Sequence, residues 1–278
     1  MSYPLGYVQG RLLEMPKRGY QAFPLENWHE EFALAKERSL SHVEWVVDTY
    51  TLHNNPLVTS SEEVLALTQQ NDIAISVICL DFLMFTKEIT ITQALASSMR
   101  YLRAGAKVGA NYVLLPLVDG SSTLKKNMDM SVAFDLTRQI ADEANSLGLQ
   151  VLLELDLPPQ GVTRFLEALG AEALINYDIG NSASLGYQWE EEVSEYGSRI
   201  GSLHIKDRYL GGGPAMLGEG NSDWIGALSW WLGNNVHSGP TTMQTFRDEE
   251  GVVAFDKQLK MVQEQISRDW RFMDGQKS

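Results

Sequence analysis

Glu154, Asp178, His204 and Gln244 each close a short apolar run in the second half of the chain: Val151-Leu152-Leu153, Leu174-Ile175-Asn176-Tyr177, Ile200-Gly201-Ser202-Leu203 and Thr241-Thr242-Met243. Three of the four are good divalent-cation ligands, and a polar side chain at the end of an apolar run is costly unless it is paired or coordinated. The fourth, Gln244, is an amide. Its oxygen can still bind a cation such as Mg or Mn, but it cannot take a proton. One carboxylate beside a Lewis-acidic cation suits removal of a proton next to a carbonyl.

Side chains so far apart in sequence meet only if strand ends converge. Short β-rich runs alternate with helical patterns along the whole chain, the signature of βα units on a parallel sheet. Eight such runs are readable: Leu5 to Gln9, His42 to Val47, Ile73 to Cys79, Asn111 to Leu115, and the runs ending at Glu154, Asp178, His204 and Gln244. Between them the pattern predicts helices from about Asn27, after Ser60-Ser61-Glu62-Glu63, over Thr92 to Val108 and Ser131 to Leu147, from Pro158-Pro159 to Gly170, over Trp189 to Tyr196, from about Ser222 to Leu232, and over Val252 to Ile266. Asn27 reads as an N-cap and Gly148 as a helix terminator. A doubly wound open sheet is the main rival, but the early phosphate-binding glycine turn it usually carries is missing. The expectation is an α/β protein, a single-domain (β/α)8 TIM barrel over residues 1–278, with the site at the C-terminal ends of the strands. Adjacent strands lie about 4.8 Å apart, so residues ending the fifth to eighth can surround one ion.

Composition narrows the function. At 278 residues and 44% hydrophobic content the chain can bury one full core without a second domain. The formal charge of −14, from 22 basic and 36 acidic residues, repels nucleic acid. No apolar stretch approaches the roughly 20 residues of a membrane span, and the start, Met1-Ser2-Tyr3-Pro4, lacks a basic-then-apolar leader. The single cysteine, Cys79, excludes an internal disulfide and reads as a small buried apolar residue. The expected setting is the cytoplasm, the expected partner a small molecule, with a homo-oligomer left open.

Glu154, the run Tyr177-Asp178-Ile179-Gly180-Asn181, the run His204-Ile205-Lys206-Asp207 and the loop Leu217-Gly218-Glu219-Gly220-Asn221-Ser222-Asp223-Trp224 resemble the xylose isomerase-like TIM barrel superfamily of sugar and sugar-phosphate isomerases and epimerases. The resemblance implies one divalent cation (Mn, Mg or Zn) held by Glu154, Asp178 and His204. The family usually ends its eighth strand with a glutamate that is both ligand and second acid/base, and this chain has Gln244 there.

Around the ligands, strand alternation puts Lys206 on the same face as His204, and it is the second catalytic candidate. Asp207 reads as a supporting or helix-capping group. Gln9 and Arg11 at the mouth of the first strand, Glu44 on the second, Asn181, Arg208 and Arg247 are candidate substrate contacts, the arginines because a guanidinium forks two hydrogen bonds to phosphate or carboxylate. His29, His42, His53 and His237 lack ligand spacing. Trp45 and Trp224 are the tryptophans expected nearest the mouth. The resulting expectation is a metal-dependent sugar or sugar-phosphate isomerase or epimerase working through an enediolate, with Glu154 as base. One base suffices for aldose–ketose isomerisation, whereas epimerisation is simplest with two, the second then coming from Lys206 or Asp48. A dehydratase on the same scaffold and a non-catalytic sugar-binding barrel are the alternatives.

Overall fold

A computed structural model describes residues 3–85, 89–119, 130–170, 172–233 and 239–275. Among them, eight parallel strands close a barrel: β1 (Leu5–Val8), β2 (His42–Val46), β3 (Ala74–Cys79), β4 (Tyr112–Leu117), β5 (Gln150–Leu155), β6 (Ala173–Asp178), β7 (Ile200–Ile205) and, after a short antiparallel hairpin of β8 (Asp207–Arg208) and β9 (Pro214–Ala215), β10 (Thr241–Met243). The ring runs β1-β10-β7-β6-β5-β4-β3-β2. Every expected strand forms, within one or two residues of its predicted limits.

Two-sided burial explains the near-continuous apolar runs. Outward side chains pack on the helices in one large core, with Trp28, Phe32, Trp45 and Val43 among them. Inside the barrel a separate small layer of Val77, Cys79, Leu114 and Leu152 fills the interior. Polar residues above that layer therefore form the floor of any site. The ladder slips by one position beside Glu44 on β2 and beside Asn176 on β6. Such irregularities re-aim side chains, and both fall at residues that meet His204.

The outer helices are α1 (Glu30–Glu37), α2 (Pro56–Thr59), α3 (Ser61–Asn71), α4 (Ile91–Lys107), α5 (Met130–Ser146), α6 (Pro159–Leu169), α7 (Ile179–Leu185), α8 (Trp189–Tyr196), α9 (Trp224–Gly233) and α10 (Val252–Gly275). Local chemistry sets their ends. Pro159 occupies the first turn of α6 and Gly170 closes it with φ +64°. Thr90 and Gln93 form a reciprocal capping box on α4. The first helix starts three residues later than expected, because Asn27 caps a turn (Glu30 N–H to Asn27 C=O, 3.0 Å) rather than the helix. Ser60 precedes α3 but makes no side-chain cap, and the chain before it forms the extra turn α2, capped by Asn55. Among the described residues no helix is long and apolar enough to cross a membrane.

Candidate metal and substrate site

Strand alternation aims Glu154 (β5), Asp178 (β6) and His204 (β7) into the barrel mouth, and register places Asp178 level with His204. All three are buried, and one ligand atom from each lies within 4.8 Å of the others. His204 Nδ1 faces Glu154 Oε2 at 3.7 Å and Asp178 Oδ2 at 3.9 Å. Its Nε2 is held by Glu44 Oε2 at 2.8 Å, from β2 across the barrel. A carboxylate on one ring nitrogen fixes the ring and frees the other to ligate. These donors therefore fit a divalent cation: two carboxylates and an imidazole nitrogen converge, with the ring already oriented.

Asn176 lies beneath them. Its Nδ2 is 3.0 Å from Glu154 Oε2 and 3.1 Å from His204 Nδ1, while Ser202 Oγ donates to its Oδ1 at 2.6 Å. The serine thus orients the amide so that its hydrogens point up at the two ligands. Asn181 fixes the other oxygen of Glu154 (Nδ2 to Oε1, 2.6 Å). The Asn181 backbone N–H donates to Asp178 Oδ1 at 2.8 Å, so Asp178 caps α7 as well as facing the site.

Lys206 completes the set. Its Nζ donates to Asp178 Oδ2 (3.0 Å), Asn181 Oδ1 (3.1 Å) and Gln244 Oε1 (3.0 Å), committing its hydrogens to three acceptors. Gly180 makes room for it, since a Cβ there would come 2.8 Å from Lys206 Cγ. Gln244, immediately after β10, turns its oxygen to this ammonium; it stands beside the ligand trio through the lysine.

Burial, reinforced by the charge of Asp178, raises Glu154 to about 7, which places it near the ideal for a base at neutral pH. Burial opposes the charge of Asp178, but Lys206 and His204 outweigh it and hold that carboxyl well below the usual range. Burial also opposes a charged His204, yet Glu44, Asp178 and Glu154 raise it to about 10. The proton on Nδ1 thus stands where a bound cation would take its place.

A cavity of about 580 Å³ opens above these groups, lined by Glu154, Asn181, Lys206, Arg208 and Gln244 on one side and by Asp81 on another. Arg208 reaches it, although its Nε and Nη2 donate to Gly212 C=O and its Nη1 to Asn181 Oδ1. Arg11 is buried, stacked over Tyr20 and bonded to Gln21, with Nε and Nη1 unpartnered. Gln9 is buried with both amide atoms unpartnered. Arg247 braces the carbonyls of Glu14 and Tyr20 and lies outside the cavity lining. Trp45 points outward, packed between Phe23 and Trp28, and Trp224 is buried in α9, so neither stands at the mouth as expected. Alternation explains it: Glu44 takes the inward position on β2 and its neighbour must face out. His29, His42 and His53 stay apart from the ligands, and His237 lies outside the described residues.

Asp207 organises the loop over the mouth. Its Oδ1 accepts from Arg208 N, Ser222 N and Ser222 Oγ, and its Oδ2 from Gly218 N and Gly220 N, all between 2.8 and 3.0 Å. Sequence reading missed Asn176 and Ser202, which sit inside apolar runs, and Glu31, a fully buried carboxylate of α1 that accepts from the Gly10 and Leu12 N–H groups. Their strand or helix face was the available signal.

Comparison with known proteins bears on the whole arrangement. The profile of the xylose isomerase-like TIM barrel family matches residues 32–266. The chain belongs to this family. Solved structures agree on the fold: a xylose isomerase-like TIM barrel protein from Mycobacterium smegmatis in complex with magnesium (TM-score 0.71, 16% identity, covering 96% of this chain and 97% of that one), the 3-keto-D-glucoside 4-epimerase of E. coli (0.70, 20%, 94% and 98%), and the IOLI protein with a bound zinc atom (0.73, 15%, 96% and 99%). No curated protein is significantly similar in sequence.

Proposed function

We propose that this chain is a divalent-cation-dependent isomerase or epimerase of a sugar or sugar phosphate, with Glu154 as the base that removes the proton next to the substrate carbonyl. The observation that carries the reading is the buried trio Glu154, Asp178 and His204, whose ligand atoms lie within 4.8 Å at the foot of a sugar-sized cavity. Family membership and the magnesium- and zinc-bound structures of similar fold support it.

Glu154, Asp178 and His204 would hold the ion, and Gln244 would add a fourth oxygen once Lys206 yields it. When bound, the ion supplies Lewis-acid polarisation of a carbonyl. The chain's own groups do the rest. Glu154 is fixed by Asn176 and Asn181 through both oxygens, so the lone pair that takes the proton has a set direction. Its elevated value lets it accept a proton near neutrality and release it again. Lys206, Asn181 and Arg208 form a polar wall of the cavity that orients substrate hydroxyls, while Gln9, Arg11 and Glu44 carry buried unpartnered polar atoms outside its lining. Buried atoms of that kind in a native fold call for a ligand or water.

The test is metal content after dialysis against Mn, Mg or Zn, measured for the wild type and His204→Ala, together with solvent-deuterium exchange into sugars by the wild type and Glu154→Gln. The expectation is near-stoichiometric metal lost in His204→Ala and exchange lost in Glu154→Gln. Full activity in both variants overturns the reading.

A further inference from the structure

One buried carboxyl of the cavity wall has an oxygen that nothing in the arrangement above uses. Asp81 opens the 3-10 turn Asp81–Phe85 that follows β3. It is 2% exposed, lines the same cavity as Glu154, and its Oδ2 has no hydrogen-bond partner. The backbone behind it is tied down: Phe82 N–H donates to Val47 C=O at 2.9 Å and Leu83 N–H to Leu80 C=O at 3.0 Å. A buried carboxyl oxygen left unmatched costs roughly 1–3 kcal/mol, so its retention in the wall of a cavity points to something that enters the cavity.

The other groups that could move a proton across from Glu154 are occupied. Lys206 is bound to three acceptors. Asp48 accepts from Thr51 N and Thr51 Oγ1 through Oδ1 and from Phe23 N through Oδ2, which makes it a structural cap of its loop. Glu44 holds His204, and Gln244 has no proton to exchange. Asp81 remains. Only β4 separates β3 from β5 in the ring, so the two strand ends stand about 10 Å apart, enough for one sugar carbon between the carboxyls. Burial, then the charges of Asp48 and Glu154, raise Asp81 well above the usual carboxylate range, so it carries the proton that Glu154 lacks.

We propose that Asp81 is a second catalytic residue, delivering a proton to the substrate carbon on the face opposite Glu154, and that the reaction is therefore an epimerisation. This rests on Glu154 acting as base. The Glu154 carboxylate takes the hydrogen of the carbon next to the carbonyl, and the C–H electron pair moves into the enediolate. As that pair returns to the carbon and the C=O re-forms, the carbon takes the proton of the Asp81 O–H. Glu154 ends protonated and Asp81 ionised, and exchange with water at the cavity mouth restores both. The cycle needs no oxidant or reductant.

The test compares Mn-loaded wild type, Asp81→Asn and Glu154→Gln on the free D-2-ketohexoses in D2O, following the epimer formed and deuterium entering the unreacted sugar by NMR. Asp81→Asn is expected to lose epimer formation by roughly 100-fold or more while still exchanging deuterium into its substrate, with an unchanged melting temperature. Glu154→Gln loses both. Epimerisation by Asp81→Asn at the wild-type rate overturns the assignment of Asp81 and leaves Glu154 untouched. Loss of exchange and epimer together in Asp81→Asn also overturns it, because the residue would then act in the first step. A wild type that exchanges none of these sugars overturns the base reading and this inference with it. Should Asp81→Asn not fold, Asp81→Ser carries the same comparison.

Discussion

Replacing Asp207 by asparagine removes one acceptor oxygen from the centre of the loop above the site. Oδ1 serves Arg208 N, Ser222 N and Ser222 Oγ, and Oδ2 serves Gly218 N and Gly220 N. With the amide oxygen in the Oδ1 position, the new NH2 group points at two backbone N–H groups that need an acceptor. Hydrogen bonds to a charged group contribute about 1.5–3 kcal/mol each, so losing the Oδ2 pair costs roughly 3–6 kcal/mol. Water reaches the partly buried loop, which favours the lower figure. At about 2–4 °C per kcal/mol, a loss near 3 kcal/mol lowers the melting temperature by roughly 6–12 °C. The damage is local as well as global, because Arg208 sits on this loop and binds both Gly212 C=O and Asn181 Oδ1. Thermal unfolding combined with hydrogen exchange is the assay: the Gly218 and Gly220 amides should lose protection first. A midpoint within about a degree of the wild type, with those amides still protected, refutes the reasoning.

Other outcomes follow from the same geometry. Glu44→Gln removes the charge that orients His204, so Mn affinity measured by chelator competition should fall about 10–100-fold, and an unchanged Kd would count against the assigned ring orientation. Gln244→Glu adds an anionic oxygen beside Lys206 and should tighten Mn binding by about tenfold or more, since affinity follows ligand charge; equal Kd values would place Gln244 outside the ligand set. His42, packed under Thr242 and Ser41, is lowered to about 4 by burial. The folded state favours its neutral form, so the stability it contributes is present above about pH 6.5 and is lost as pH falls through 4, an amount of about 3 kcal/mol. Urea unfolding at pH 7 and 4 should show His42→Asn losing that much less than the wild type, and equal losses would dismiss His42 as the titrating group.

The convergence of Glu154, Asp178 and His204 was legible in sequence because each is a polar side chain closing an apolar run, and barrel topology makes run ends meet. The supporting layer was not. Asn176 and Ser202 interrupt runs that read as plain strand, and their function depends on a ladder slip beside Asn176 that no local pattern encodes. The turn α7 was unreadable because Gly180, Asn181 and Ser182 are poor helix formers, and its start depends on the side chain of Asp178. Glu31 looks like a solvated helix charge until the fold lays its face against the loop after β1. The guanidinium of Arg247 suggested a substrate anchor, but its nitrogens donate to carbonyls brought from the opposite end of the chain, which no local pattern encodes.

The ammonium of Lys206, lodged between Asp178 and Gln244, also bears on how the protein is made. A pocket with several buried acids would ordinarily repel itself until an ion arrived, tying the folding of a new chain to metal supply. Here the chain brings its own counter-charge, and His204 between Glu44 and the other two carboxylates adds to it. If the chain is the metal-dependent enzyme proposed above, folding would finish before loading, so a cell short of metal would accumulate intact, inactive protein that later supply could switch on without new synthesis.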